Sequence, residues 1–69
     1  MALNTFYIYT THVTCNFYTR HGETLHYDDC GTLDEIHERM CEVLVKHNFD
    51  DADACSAETG EVLMVVQRT

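Results

Sequence analysis

Thr32-Leu33-Asp34-Glu35, and the single apolar stripe that follows it, constrain the fold more than any other feature of this chain. The tetrapeptide reads as a capping box, in which the Thr32 hydroxyl and the Glu35 carboxylate each satisfy a first-turn amide of the other. From there Leu33, Ile36, Met40, Val43, Leu44 and His47 recur at three- and four-residue steps. Lys46 and His47 suit the negative end of the helix dipole, and Asn48 is a plausible C-cap. The spacing predicts one α-helix over 33–47. A helix with one apolar stripe must bury it against another element, so the question becomes what the flanking segments supply.

They supply strands. Before the helix, FYIYTTHVTCNFYT is dense in β-branched and aromatic residues. It reads as one bent strand or as two that break near Thr10-Thr11. Arg20-His21-Gly22-Glu23 looks like a tight turn, followed by a short strand through Leu25 and Tyr27. After the helix, ADACSAETGEVLMVVQR reads as a hairpin turning at Glu58-Thr59-Gly60, with Gly60 in the left-handed position. The run Val62 to Val66 is apolar on both faces and is expected to be a central strand. The fold class is therefore α+β: one antiparallel sheet of four to five strands with a helix on one face, in the order strands, helix, hairpin.

One helix is ~10 Å wide and four strands span roughly 19 Å, so the second face of the sheet stays without a helical cover. Tyr7 and Tyr9 alternate with Phe6 and Ile8 in the first strand segment. An aromatic face without a lid commonly finds another protein, and self-association, as a homodimer, is expected through Tyr7 and Tyr9.

The 69 residues form one domain, near the lower limit of what folds without staples. A hydrophobic fraction of 45% excludes disorder, and the absence of proline leaves no linker. MALNTFYIYTTHV lacks the basic and apolar regions of a secretory signal, and Val62–Val66 is far too short to cross a bilayer. A cytoplasmic location is expected. In that setting Cys15, Cys30, Cys41 and Cys55 read as reduced thiols rather than disulfides.

Two His-x3-Cys pairs, His26/Cys30 and His37/Cys41, raise the prospect of a metal site. Structural zinc favours ligand pairs held at a tight knuckle, which neither segment resembles, with His26 near a strand end and Cys30 in a loop. On a helical wheel His37 and Cys41 fall on the flank of the buried stripe, about 40° and 80° from Leu33, where a half-buried imidazole and a small thiol sit without metal. No metal or other cofactor is expected. Nor is enzymatic activity: the chain has no glycine-rich phosphate loop and no nucleophile elbow. Glu38 and Glu42 beside Cys41 work against a reactive thiolate.

What remains is charge. Twelve Asp and Glu oppose four Lys and Arg, for a net −8. Direct binding to nucleic acid or to an anionic membrane is excluded by repulsion. Asp34, Glu38 and Glu42 stand at i, i+4 and i+8, a ridge with about 6 Å between neighbours. Asp28 and Asp29 extend the acidic surface before the helix, and Asp50, Asp51 and Asp53 extend it beyond. Arg39 and Lys46 are placed to pair with Glu35 and Glu42 on the helix itself. A duplex places 3.4 Å between charges on one strand, so a row of carboxylates at similar scale can occupy a basic groove built for that backbone.

On these residues the chain resembles the phage-encoded anti-CRISPR proteins and other DNA-mimic inhibitors of bacterial defence, in size, charge and architecture. The resemblance implies a non-enzymatic inhibitor that occupies a basic surface of a nucleic-acid-handling partner in a bacterial cytoplasm. Asp28, Asp29, Asp34, Glu38, Glu42, Asp50, Asp51 and Asp53 are then the partner-binding candidates. A second reading is a small metal-binding or redox-sensing domain using His37 and Cys41, and a third is a structural subunit of a larger assembly.

Overall fold

The structure is a computed structural model and describes residues 10–68. Four strands and one helix follow in the order β1 (Thr11–Tyr18), β2 (Thr24–Gly31), α1 (Leu33–Lys46), β3 (Asp51–Ser56) and β4 (Val62–Gln67). All neighbours in the sheet are antiparallel, in the spatial order β2-β1-β3-β4. Because β1 lies between β2 and β3, the β2–α1–β3 connection carries the helix across the middle of the sheet. The expected α+β arrangement is the one found.

Each element forms for a local reason. The Thr32 hydroxyl accepts from the Glu35 amide and the Glu35 carboxylate accepts from the Thr32 amide, completing the capping box. The bond from the Thr32 amide is the main reason the Glu35 carboxyl titrates below its ordinary value. At the other end His47, not Asn48, is the C-cap, and Asn48 takes the left-handed conformation at φ 58°. The Asn48 amide bonds Val45 and the Phe49 amide bonds Leu44, the two bonds of a Schellman motif. Phe49 and Leu44 both enter the core there. Gly60 holds a positive φ of 79° in the β3–β4 turn, as expected from its position.

Alternation sorts β1 cleanly. Val13, Cys15 and Phe17 are fully buried beneath α1, while His12, Thr14, Asn16 and Tyr18 face away from it. Ile36, Met40 and Leu44 bring the helix down onto this face, over the small Ala52 and Ala54 of β3. Phe17 stacks on Tyr27 at 5.6 Å and tilts against Phe49 at 5.5 Å. The predicted stripe is narrower than its sequence pattern: Leu33 is 42% exposed, and His47 is exposed.

Three expectations need correction. Cys30 is not in a loop, because β2 runs to Gly31 and pairs Cys30 with His12. Among the described residues Val62–Val66 is not central: β4 lies at the edge of their sheet, with Val62 and Val65 more than half exposed. Arg39 turns away from an i, i+4 partner and grips Asp29 of β2 through Nε and Nη2 at 3.0 and 3.2 Å. Its Nη2 also bonds the Cys30 carbonyl. Gly31 makes room for that reach, since a Cβ there would lie 2.9 Å from Arg39 Nη2, at a φ of 154°. Tyr7 and Tyr9 lie outside the described residues.

Candidate functional site

The eight acidic candidates do not form one surface. Asp34, Glu38 and Glu42 each precede a buried residue (Ile36, Met40, Leu44) by two positions, which turns them through about 160° to the solvent side of α1. All three are exposed, and among the described residues none makes an ion pair or a side-chain hydrogen bond. They are one ridge, as the sequence predicts.

The flanks are arranged otherwise. Asp28 and Asp53 face away from α1, because their neighbours Tyr27, Asp29, Ala52 and Ala54 turn towards it; Asp51, two residues before Asp53, shares that open face. They therefore sit on the opposite side of the domain from the ridge. Asp29 and Asp50 are committed within the fold. Asp29 holds Arg39, and its side chain is only 19% exposed. Asp50 accepts the Arg20 amide at 2.8 Å and lies 3.9 Å from the Arg20 guanidinium, so it closes the β1–β2 turn against the helix exit.

Three of the four Lys and Arg side chains are engaged away from the ridge. Arg39 is with Asp29, and Arg20 is with Asp50. Arg68 donates to the Leu44 and Val45 carbonyls and to the Asn48 side chain, capping the negative end of α1. A groove between Arg20, Asp50, Asp51 and Arg68 is charged throughout, with no apolar wall to desolvate a small ligand.

The open sheet face holds a polar row that sequence reasoning missed. Asn16 donates its amide to Asp53 at 2.8 Å, and its oxygen lies 2.8 Å from His26 Nδ1. A carboxylate can only accept, so the Asn16 nitrogen faces Asp53, its oxygen faces His26, and His26 carries its proton on Nδ1. The row crosses β2, β1 and β3 in register, with Asn16 opposite both His26 and Asp53. Tyr18 sets its ring edge-on to His26 at 6.3 Å. Period-two alternation outward from Val13, Cys15 and Phe17 is the signal that could have found this row; the strand order was needed to complete it.

Two of the four thiols, Cys15 and Cys55, are held in the protonated form. Burial, then the nearby charge of Asp29, pushes Cys15 up to about 11. Burial and a hydrogen bond to Asp53 push Cys55 up as well. The His26/Cys30 pair lies on the open face of β2 while His37 and Cys41 are on α1, so the two pairs do not converge. The Cys41 sulfur stands 3.8 Å from His37 Nδ1, two donors short of a closed structural zinc site. Among the described residues no three or more His, Cys, Asp and Glu are grouped to hold a metal ion. Nor is any described helix long and apolar enough to cross a membrane.

Comparison of the chain with protein-family models, curated proteins and solved structures finds no match.

Proposed function

We propose that this protein is a non-enzymatic, acidic binding protein whose working surface is the ridge Asp34, Glu38 and Glu42. It engages a basic, nucleic-acid-handling protein as an inhibitor, in the manner of the DNA-mimic, anti-CRISPR type, and touches no nucleic acid itself. The observation that carries this reading is the disposition of charge. Three carboxylates stand at about 6 Å steps on a capped helix, with no paired cation among the described residues, while Arg20, Arg39 and Arg68 are engaged elsewhere. A fixed row of like charges costs stability through self-repulsion, and contact with a basic groove relieves that cost. The surface is narrower than the sequence expectation: Asp29 and Asp50 serve the fold, and Asp28, Asp51 and Asp53 face the other way. The raised thiols of Cys15 and Cys55 favour binding over catalysis.

The test is capture from a bacterial lysate on immobilised wild type and on the triple variant Asp34→Asn, Glu38→Gln, Glu42→Gln. Wild type is expected to retain a nucleic-acid-binding protein that duplex DNA displaces. Salt at about 1 M, where the Debye length is ~3 Å, is expected to displace it too. The triple variant is expected to lose it. Equal capture by both forms removes the ridge from function.

A further inference from the structure

We propose that His37 and Cys41 of two copies close around one zinc ion, which sits on the two-fold axis of a metal-linked dimer. The inference goes beyond the acidic ridge and takes none of its carboxylates as ligands. It starts from the pair itself. The Cys41 sulfur stands 3.8 Å from His37 Nδ1 and 3.9 Å from Nε2. Zinc bonds of ~2.3 Å to sulfur and ~2.0–2.1 Å to nitrogen, set at the tetrahedral angle, hold the two atoms about 3.6 Å apart. One turn of α1 therefore presents both donors at close to the bite the ion needs. Among the described residues neither side chain has a polar partner but the other, so both are free to ligate. His26, by contrast, is held by Asn16, and Cys55 by Asp53. His12 and Cys30 are register partners in β1 and β2, but no contact of this kind joins them.

The pair cannot finish the site alone. A closed zinc site takes four donors, and no third His, Cys, Asp or Glu among the described residues is grouped with these two. Asp34 and Glu38, three residues before His37 and Cys41, supply the negative potential that draws a cation to this face. A second copy is the occupant because the missing half is the same as the half in hand, and a two-fold axis supplies it.

The helix surface around the pair fits that symmetry. Leu33, His37, Cys41 and Val45 follow at four-residue steps in one line along α1, with Leu33 42% and Val45 67% exposed. The line reads apolar, donor, donor, apolar, the same from either end. In an antiparallel pairing about an axis between His37 and Cys41, each Leu33 meets the partner's Val45 and each His37 the partner's Cys41. Four donors converge at the centre, and the apolar ends shield them from water. Binding releases the two thiol protons to solvent. Two thiolates and two neutral imidazoles then balance the ion, so the join adds no charge to two acidic bodies.

The test adds zinc or cobalt(II) to the full-length, reduced, metal-free protein. Mass is followed by analytical ultracentrifugation, and cobalt coordination by visible absorption. Half an equivalent of either ion is expected to double the sedimenting mass, and EDTA to reverse it. Cobalt is expected to show the intense absorption of a tetrahedral thiolate site, saturating at one ion per two chains. Cys41→Ser and His37→Gln are each expected to lose both signals, with circular dichroism confirming the fold; Cys41→Ala stands in if Cys41→Ser fails to fold. Cys30→Ser is expected to keep them. The ridge variant Asp34→Asn, Glu38→Gln, Glu42→Gln is expected to keep the spectrum and the stoichiometry. A mass unchanged by zinc overturns the proposal. So does saturation at one ion per chain, a signal that survives Cys41→Ser, or a spectrum lost in the ridge variant.

Discussion

The two faces of the sheet are written in the same four strands, one residue out of step, and they are held together by different physics. Under α1 the residues are Val13, Cys15, Phe17, Ala52, Ala54 and Val66, all buried, with no polar side chain among the buried residues described. On the open face Asn16 links His26 to Asp53, and Thr14 reaches Asp28 at 3.4 Å. The first face gains by removing area from water, at roughly 25 cal/mol per Å². The second trades bonds to water for bonds within the protein, which nets only about 1 kcal/mol each. In so small a domain the packed face therefore sets whether the chain folds.

The sharpest test of that division substitutes adjacent residues that point opposite ways. Phe17→Ala empties a site touching both Tyr27 and Phe49 and is expected to cost roughly 3–5 kcal/mol. That is the whole stability expected of a core this size, ~3–5 kcal/mol, so the variant should be unfolded at 25 °C. Tyr18→Ala, one residue on and 36% exposed, is expected to cost less than about 1 kcal/mol. Urea denaturation of the two variants measures both. Comparable losses would mean that the open face carries as much of the fold as the covered one.

Asn16→Ala asks how much the polar row contributes. Asn16 is half-buried, and its loss leaves Asp53 with the weak Cys55 thiol donor at 3.5 Å. The expected cost is about 1 kcal/mol, read as a lower urea midpoint at unchanged slope. A cost near that of Phe17→Ala would erase the distinction between the faces; no cost at all would mean that water replaces the amide without loss.

How much of this was legible follows from the range of each interaction. The capping box and the Ile36, Met40, Leu44 stripe are local, and both stand where the sequence puts them. The turn at Gly60 is local as well. Strand order is not local. Val62–Val66 looks central because it is apolar on both sides, yet in the structure its outward valines meet solvent at an edge. Arg39 had a helical partner within four residues and an edge-strand partner ten residues back. It took the second, because Asp29 offers a two-pronged carboxylate and the neighbouring Cys30 carbonyl a third acceptor. The acidic ridge was legible as three residues on one helix, while its flanks were not, because only the fold tells which side of a strand an aspartate takes.

Cysteines allow a finer reading, since Cys15 lies on the covered face and Cys30 on the open one, in adjacent strands. The Cys15 thiol is fully buried and raised to about 11, so at pH 8 it is both inaccessible and protonated. Only thiolate reacts with a disulfide reagent such as Ellman's. Cys30 is expected to label within the fast phase, and Cys15 only as quickly as the domain opens, so Phe17→Ala should convert the slow phase into a fast one. The same shift fixes the sign of an alkaline effect on stability. Unfolded cysteine ionises near 8.5, whereas folded Cys15 holds its proton until about 11. The stabilisation is therefore complete below about pH 8.5 and is lost as pH rises through the folded value. Cys15→Ala or Cys15→Ser alone costs packing and obscures this. The comparison is the pH slope of the urea midpoint between about 8 and 10, for wild type against Cys15→Val, whose side chain cannot ionise. The wild-type slope is expected to be the steeper. Equal slopes, with Cys15 labelling as fast as Cys30, would place that thiol in contact with solvent and make the two faces alike.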